Sequence, residues 1–299
     1  MKHFSGFVNI VGRPNVGKST LMNALTGERM SIITSKPQTT RHRIIGILSG
    51  EDYQIVFSDT PGLIKDPSYK MQQAMNRAVR SAFEDGDLML LVVDPWDKYT
   101  AEDPLIQQLS QVEAPVIVVI NKIDLVAAEE LERLKGEYGQ LLPKAEIILV
   151  SALQKLHTEE LFQKIRGHLP EGPEYYPKDQ LTDRTERFFV SEIIREKVLE
   201  LYKQEIPYSV EVIVTSFKEG ATSQNEPIVR IEALLFVARK SQKPIIIGKD
   251  GQSIKQLGTE SRKAIEQFLE QKVHLELHVK VRENWRDDEQ LLRQFGYLD

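Results

Sequence analysis

A three-layer α/β domain built on a mostly parallel six-stranded sheet, followed by a smaller α+β unit, is the architecture that this 299-residue sequence predicts. Three features point to it. Short apolar runs alternate with amphipathic stretches from Phe7 to His168, the order expected of strands and crossover helices. Those runs are apolar on both faces, which suits a sheet covered on both sides. Between Leu169 and Lys178 three prolines and a glycine interrupt the pattern, and a different order of elements follows.

Taken in order, Phe7 to Val11 reads as the first strand and Ser19 to Thr26 as the helix after it. The strands Ile44 to Leu48 and Tyr53 to Phe57 are joined only by Ser49-Gly50-Glu51-Asp52. That is too short for a crossover helix, so the pair is expected antiparallel within an otherwise parallel sheet. Strands Leu88 to Val93, Val116 to Ile120 and Ile147 to Val150 then alternate with helices expected over Tyr69 to Glu84, Ala101 to Gln111, Ala127 to Leu142 and Thr158 to His168. The proline-rich stretch forbids a regular element and places the domain boundary: residues 1–172, a linker over 173–185, and a second domain over 186–299. In that domain the expected order is helix (Glu192 to Gln204), strand (Val210 to Thr215), strand (Ile228 to Ala238), two helices (Ser253 to Leu257 and Ser261 to Gln271), strand (Val273 to Val281) and a short helix (Asp287 to Gln294). Helices should cover one face of its sheet.

With 41% apolar and 28% charged residues the chain has ample material for packed cores. Its longest apolar runs, such as Leu88 to Val93, fall far short of the roughly 20 residues of a spanning helix, which excludes a transmembrane protein. Met1 to Gly6 runs straight into a strand with no signal-like apolar stretch, so a cytoplasmic protein is expected. The absence of cysteine excludes a disulfide framework, a thiolate zinc site, an iron–sulfur centre and a cysteine nucleophile. A net charge of -5 is too mild to drive binding to nucleic acid or membrane by itself, so any basic surface must be local. One candidate is Arg239 to Lys263, with seven basic residues against two acidic ones. No H-E-x-x-H, G-x-S-x-G or nicotinamide-type G-x-G-x-x-G motif is present.

Gly12-Arg13-Pro14-Asn15-Val16-Gly17-Lys18-Ser19 fits G-x-x-x-x-G-K-[ST] between a strand and a helix. In such a loop backbone N–H groups converge on phosphate oxygens and the helix N-terminus adds positive potential. Lys18 would reach the β- and γ-phosphates and the Ser19 hydroxyl would ligate Mg²⁺, with Thr20 continuing the helix. Asp59-Thr60-Pro61-Gly62 closes a strand, so Asp59 can hold the Mg²⁺ shell through water and the Gly62 N–H can sense a γ-phosphate. Asn121-Lys122-Ile123-Asp124 follows a buried strand. The Asp124 carboxylate can accept from both N1–H and the exocyclic amine of guanine, a donor pair that adenine lacks. Ser151-Ala152, after the next strand, offers a backbone N–H to guanine O6. GTP and GDP, with Mg²⁺, are therefore the expected ligands.

These four motifs, in this order, resemble the translation-factor class of P-loop GTPases over roughly Phe7 to His168. The resemblance implies hydrolysis of GTP to GDP and phosphate. It also implies that Thr34 to Arg43 is switch I, with Thr40, in preference to Thr39, completing the Mg²⁺ shell when the γ-phosphate is present. Where many GTPases carry a glutamine after D-x-x-G this chain has Leu63, which cannot orient a water, so slow basal hydrolysis is expected. In relatives with such a substitution the P-loop asparagine, here Asn15, can hold a K⁺ ion.

Ile245-Ile246-Ile247-Gly248-Lys249-Asp250-Gly251-Gln252-Ser253-Ile254-Lys255-Gln256-Leu257 fits the I-G-x-x-G-x-x-I-x-x-L pattern of a KH module. Ile247, Gly248, Lys249, Asp250, Gly251, Ile254 and Lys255 are its candidate RNA-binding residues, the glycines letting backbone press against phosphates. The element order resembles the type II arrangement. A GTPase with one C-terminal KH module resembles the Era family, and local segments agree: Gln38-Thr39-Thr40-Arg41-His42, Ile194-Arg195-Glu196-Lys197 with Glu205-Ile206-Pro207-Tyr208-Ser209, and Trp285 to Tyr297. Two departures are the missing glycine after Ser151-Ala152 and Pro244 where relatives commonly have glycine. The resemblance implies a monomeric factor for assembly of the 30S ribosomal subunit that binds the 3′ end of 16S rRNA and associates peripherally with the inner membrane. Tyr69 to Glu84 and the linker are the expected transmission path from nucleotide to RNA. The alternatives are a nucleotide-gated module whose KH-like unit docks a protein or membrane partner, and a P-loop ATPase or small-molecule kinase, against which Asn121 to Asp124 speak.

Overall fold

The computed structural model describes residues 2–34, 36 and 38–298. Met1 and Asp299, the ends of the expected domain ranges, and Ser35 and Pro37, in the expected switch I loop, lie outside the described residues. The chain forms two compact units, one holding residues up to Pro67 with Gln72–Asp183, the other Ser68–Met71 with the chain from Arg184 onward.

The first unit is a six-stranded sheet of β1 (Phe4–Val11), β2 (Ile44–Ser49), β3 (Tyr53–Asp59), β4 (Leu88–Val93), β5 (Val116–Ile120) and β6 (Glu146–Leu149), in the order β2-β3-β1-β4-β5-β6. Only β2 runs antiparallel to its neighbour, because the β2 to β3 connection is a tight turn closed by Gly50 N–H donating to the Tyr53 carbonyl at 2.8 Å. β1 starts three residues earlier than its apolar run, since Phe4 to Gly6 pair with Tyr53 to Ile55. The helices are α1 (Lys18–Thr26), α2 (Lys70–Ser81), α3 (Pro104–Gln111), α4 (Ala128–Leu141) and α5 (Thr158–His168). Every residue of β4 is buried. Leu91 and Val93 pack with Leu105, Leu109, Leu134 and Tyr138 of α3 and α4, so both faces of the strand are covered, as its continuous apolar run requires.

No helix or strand occurs between His168 and Glu186, yet part of that stretch is bound to the first unit. The buried Gln54 side chain accepts from the Tyr175 and Tyr176 N–H groups at 2.7 and 2.9 Å and donates to the Tyr176 carbonyl at 2.8 Å. Ile47 N–H donates to the Leu181 carbonyl at 2.8 Å, which occupies part of the open edge of β2.

The second unit contains α6 (Glu186–Leu201), α7 (Ile206–Ser209), β7 (Val210–Ala221), β8 (Pro227–Val237), α8 (Gln242–Ile247), α9 (Gln252–Leu269), β9 (Lys272–Val281) and α10 (Glu289–Gln294). Its sheet has the order β7-β8-β9, with β7 and β8 antiparallel and β8 and β9 parallel. Ile193, Ile194, Val198, Leu257 and Ile265 join Val212, Ile231 and Leu235 in one core. On β9 the alternate residues Lys272, His274, Glu276, His278 and Lys280 are exposed.

Two expectations need correction here. The two helices placed over Ser253 to Leu257 and Ser261 to Gln271 are one helix, α9. Leu257, Ser261 and Ile265 form one buried stripe at a spacing of four, a Cβ at Gly258 would meet only the Leu277 side chain, at an ordinary 3.7 Å, and Thr259 Oγ1 donates to the Lys255 carbonyl at 2.9 Å. The helix preceding it is α8, which the β-branched run Ile245 to Ile247 conceals. Pro244 sits in its first turn, where proline is tolerated, and Gly248 ends it. β7 also runs on to Ala221 through a register shift between Val214 and Ser216. Among the described residues no helix is long and apolar enough to cross a membrane.

Candidate functional site

The loops after β1, β3, β5 and β6 all leave the carboxyl ends of strands. They meet beside β1, which has β3 on one side and β4 on the other, the switch point at which open α/β sheets bind ligands. Together they line a cavity of about 460 Å³.

Gly17 opens α1 with φ 100°, and a Cβ there would stand 2.2 Å from Asn121 Nδ2. The Asn121 amide fills that space and links two loops, donating to the Val16 carbonyl at 2.8 Å and accepting from Ala152 N–H at 2.9 Å. Lys18 is buried, and its ammonium donates to the carbonyls of Gly12 (3.1 Å) and Arg13 (2.8 Å). Burial pushes its pKa down to about 8, against the opposing pull of Asp59 and Asp97.

Ser19 Oγ donates to Asp59 Oδ2 at 2.6 Å and lies 2.8 Å from Thr40 Oγ1, which is 3.3 Å from the same carboxylate oxygen. Asp59 Oδ1 is buried with no hydrogen-bond partner. Burial pushes the Asp59 carboxyl upward, opposed first by the Lys18 ammonium and then by the Ser19 hydroxyl. Two hydroxyls and a carboxylate with an unused oxygen form a hard, all-oxygen donor set that fits Mg²⁺. The Thr39 hydroxyl turns elsewhere, to the Lys36 carbonyl at 2.6 Å and Thr34 Oγ1 at 2.7 Å. Gly62 is buried and lines the cavity, whereas Leu63 is half-buried and packs against the apolar core.

At the other end of the cavity Lys122, with φ 62°, donates from Nζ to the Asn15 carbonyl (2.7 Å) and to Asp94 Oδ2 (2.8 Å). Asp124 is exposed on the cavity wall, and its carboxylate makes no hydrogen bond among the described residues. The N–H groups of Ser151 and Ala152 donate within the protein, to the Leu156 carbonyl and to Asn121 Oδ1, and the cavity wall there is Ser151 and Leu153. Sequence reasoning missed Asp94, which fixes Lys122. It also missed Tyr99, whose hydroxyl accepts Arg13 N–H at 3.1 Å and whose ring lies 4.1 Å under the Arg13 guanidinium. Neither belongs to a motif; the buried strand end at Val93 is the only local cue for Asp94.

In the second unit the G-x-x-G loop joins α8 to α9. Gly248, Asp250 and Gly251 have φ of 74°, 51° and 75°, so the loop reverses direction within four residues. Lys249, Asp250 and Lys255 are exposed, while Ile247 and Ile254 are half-buried against the core below. The Tyr202 hydroxyl, unread from sequence, donates to the Ile246 carbonyl at 2.8 Å and fastens the end of α8 beneath this loop.

A family model described as 50S ribosome-binding GTPase matches residues 7–122, and a KH domain model matches residues 205–286. GTPase Era of Syntrophus aciditrophicus (strain SB) is 45% identical over 294 residues, spanning 98% of this chain and 95% of the relative. The chain belongs to the Era family of GTPases. Crystal structures agree with the Era assignment. Era in complex with MgGDPNP and nucleotides 1506-1542 of 16S ribosomal RNA superposes with a TM-score of 0.93 at 37% identity, covering 99% of this chain and all of that one. A variant of Aquifex aeolicus Era bound to GDP.AlF4- gives 0.92 at 37% identity over the whole of both chains. The Era fold thus accounts for the mostly parallel six-stranded GTPase sheet and the C-terminal KH unit alike.

Proposed function

We infer that this Era-family GTPase is a GTP-hydrolysing switch that binds 16S ribosomal RNA near its 3′ end and acts in assembly of the small ribosomal subunit. The observation that carries this is the presence on one chain of two recognition devices: a cavity ending in the unpaired Asp124 carboxylate, and a G-x-x-G loop that carries exposed Lys249 and is followed by exposed Lys255. The 50S description belongs to a model of residues 7–122 alone. The likeness that includes the RNA-binding unit is to Era with a small-subunit RNA, and this supports the 30S assignment.

In this mechanism Gly12 to Thr20 cradle the phosphates, and Lys18 bridges the β- and γ-oxygens. Gly62 N–H meets the γ-phosphate, and Asp124 accepts from the guanine edge. Lys122 braces the base end against Asn15, and the Ala152 N–H is shared between Asn121 and guanine O6. Ser19, Thr40 and Asp59 would hold Mg²⁺, which when bound offsets the phosphate charge. With Leu63 packed against the core, the residue that directly follows Gly62 has no group to orient the attacking water. Residues 1–172, 173–185 and 186–299 are the proposed working divisions of the chain. Peripheral association with the inner membrane, a cytoplasmic setting and a monomeric state complete the proposal as family expectations.

Asn15 is exposed on the cavity wall, and by the family resemblance its side-chain oxygen would hold a K⁺ beside the phosphates. Basal hydrolysis is accordingly expected to run roughly fivefold to tenfold faster in KCl than in NaCl at equal ionic strength, and Asn15→Ala to erase the difference. A wild-type rate indifferent to the two salts would remove K⁺ from the mechanism.

The functional test is titration of a single-stranded oligonucleotide from the 16S 3′ end, and of a scrambled control, into the protein loaded with GDP or a non-hydrolysable GTP analogue. Tighter, sequence-selective binding with the GTP analogue is expected. Equal, weak and nucleotide-independent binding to both strands would instead favour a protein or membrane partner for the second unit.

A further inference from the structure

The two tryptophans of this chain differ sharply in setting. Trp285 is wholly buried in the second unit, its Nε1–H donating to the Ser209 carbonyl at 3.0 Å, whereas Trp96 is 59% exposed on the wall of the nucleotide cavity. A single exposed indole needs no explanation by itself; its place on the wall of the nucleotide cavity is what makes its surroundings informative.

Those surroundings are built around the nucleoside end of the cavity. Asp94 uses both carboxylate oxygens there: Oδ1 accepts Trp96 N–H at 3.1 Å and Oδ2 accepts Lys122 Nζ at 2.8 Å. One side chain thereby ties the Trp96 backbone to the Lys122 side chain, and the Lys122 ammonium lies 5.7 Å from the indole centroid, within cation–π reach. The turn carrying Trp96 is itself fixed, since Asp94 N–H donates to Asp97 Oδ2 at 3.2 Å and Asp97 N–H returns to the Asp94 carbonyl at 3.1 Å. Lys122 also bonds the Asn15 carbonyl, so the indole stands where the wall passes from the phosphate loop to the guanine loop. A nucleotide with its phosphates on Lys18 and its base at Asp124 would lay its ribose between those two ends, in the cavity whose wall Trp96 shares.

We propose that Trp96 is a nucleoside-binding residue of this GTPase, its indole packing on the ribose of GDP and GTP and closing the cavity over Lys122. This rests on the guanine-nucleotide site inferred above and adds to it a contact outside the four motif loops. Because the ribose is common to both nucleotides, the contact strengthens binding of GDP and GTP alike and leaves the choice of base to Asp124.

Trp96 is also its own probe, since Trp285 supplies a constant buried background. On titrating the full-length protein with GDP and Mg²⁺, Trp96 emission should shift to the blue and lose accessibility to acrylamide, with the midpoint found by calorimetry. Trp96→Ala should weaken GDP and GTP by the same factor, about fivefold to tenfold, as expected for loss of one aromatic packing partner. Trp96→Phe should remain within about twofold of wild type, and the preference for GTP over ATP should not change. Wild-type affinity in Trp96→Ala, or unaltered acrylamide access on saturation with GDP, would overturn the proposal while leaving the nucleotide site intact. Failure of the wild-type protein to bind GDP by calorimetry would instead sink the site itself.

Discussion

Replacing Lys18 by Met is expected to lower GTP hydrolysis by about a thousandfold and nucleotide affinity by about a hundredfold, while the fold survives. Removing one preorganised charge from a phosphoryl-transfer site typically costs 10²–10³ in rate, and Lys18 has two duties here. It is the buried cation of the phosphate loop, bonded to the Gly12 and Arg13 carbonyls. It is also the largest favourable influence on the buried Asp59 carboxylate, so its loss disfavours the charged state that a metal ligand needs. Methionine keeps most of the side-chain length and removes the charge, which separates electrostatics from packing. Burial has already pushed the ammonium down to about 8, so the fold carries a cost for holding it charged near neutral pH. Methionine relieves that cost but leaves the buried Asp59 carboxyl without its counter-charge, and the two effects oppose each other, so the melting temperature should move only slightly. Calorimetric titration with GDP, single-turnover hydrolysis and a melting curve are the measurements. Near-wild-type hydrolysis would exclude Lys18 as the phosphate-bridging group.

Where local pattern and local chemistry coincide, the sequence was enough. The apolar runs of β4 and β5 are continuous because both faces are covered, and the three-residue β2 to β3 connection leaves no choice but an antiparallel pair. The residues that could surround a nucleotide were legible because phosphate and base chemistry fixes their type and spacing on short loops. What was not legible depends on partners distant in the chain. Asn121 was read only as part of a base-recognition motif, yet it ties the Val16 carbonyl to Ala152 N–H across two other loops. Asp94, Tyr99 and Trp96 act through Lys122, Arg13 and the cavity wall, and no motif spacing announces them. In the second unit the run Ile245 to Ile247 argues for a strand by propensity, but Pro244 in the first turn and Gly248 at the end make it part of a short helix, in which Ile246 alone of the three isoleucines is buried. Gly258 argues for a break between Leu257 and Ser261, at a helical cost of about 1 kcal/mol. The buried stripe through Leu257 and Ile265 outweighs it.

Gly248→Asp is expected to reduce affinity for the 16S 3′ oligonucleotide by at least about a hundredfold and to leave GDP binding unchanged. The backbone at Gly248 has φ 74° and ψ 175°, a region essentially reserved for glycine, which costs any other residue roughly 1–3 kcal/mol. An added Cβ would stand 2.1 Å from Ser253 Oγ and 2.9 Å from Ser253 N, so the loop or the start of α9 must move. The new carboxylate would also place negative charge beside Lys249, where RNA phosphates are expected, and charge repulsion there is felt most strongly at low salt. Gly248→Ala carries the steric and backbone strain without the charge, so the two variants apportion the loss. Alanine should cost about tenfold, and the further loss in Asp should shrink as salt rises. Nucleotide affinity serves as the internal control, since Gly248 and the nucleotide cavity belong to different compact units. Normal RNA binding by Gly248→Asp would mean that RNA does not press on this loop, and the KH surface would have to be sought elsewhere on the second unit.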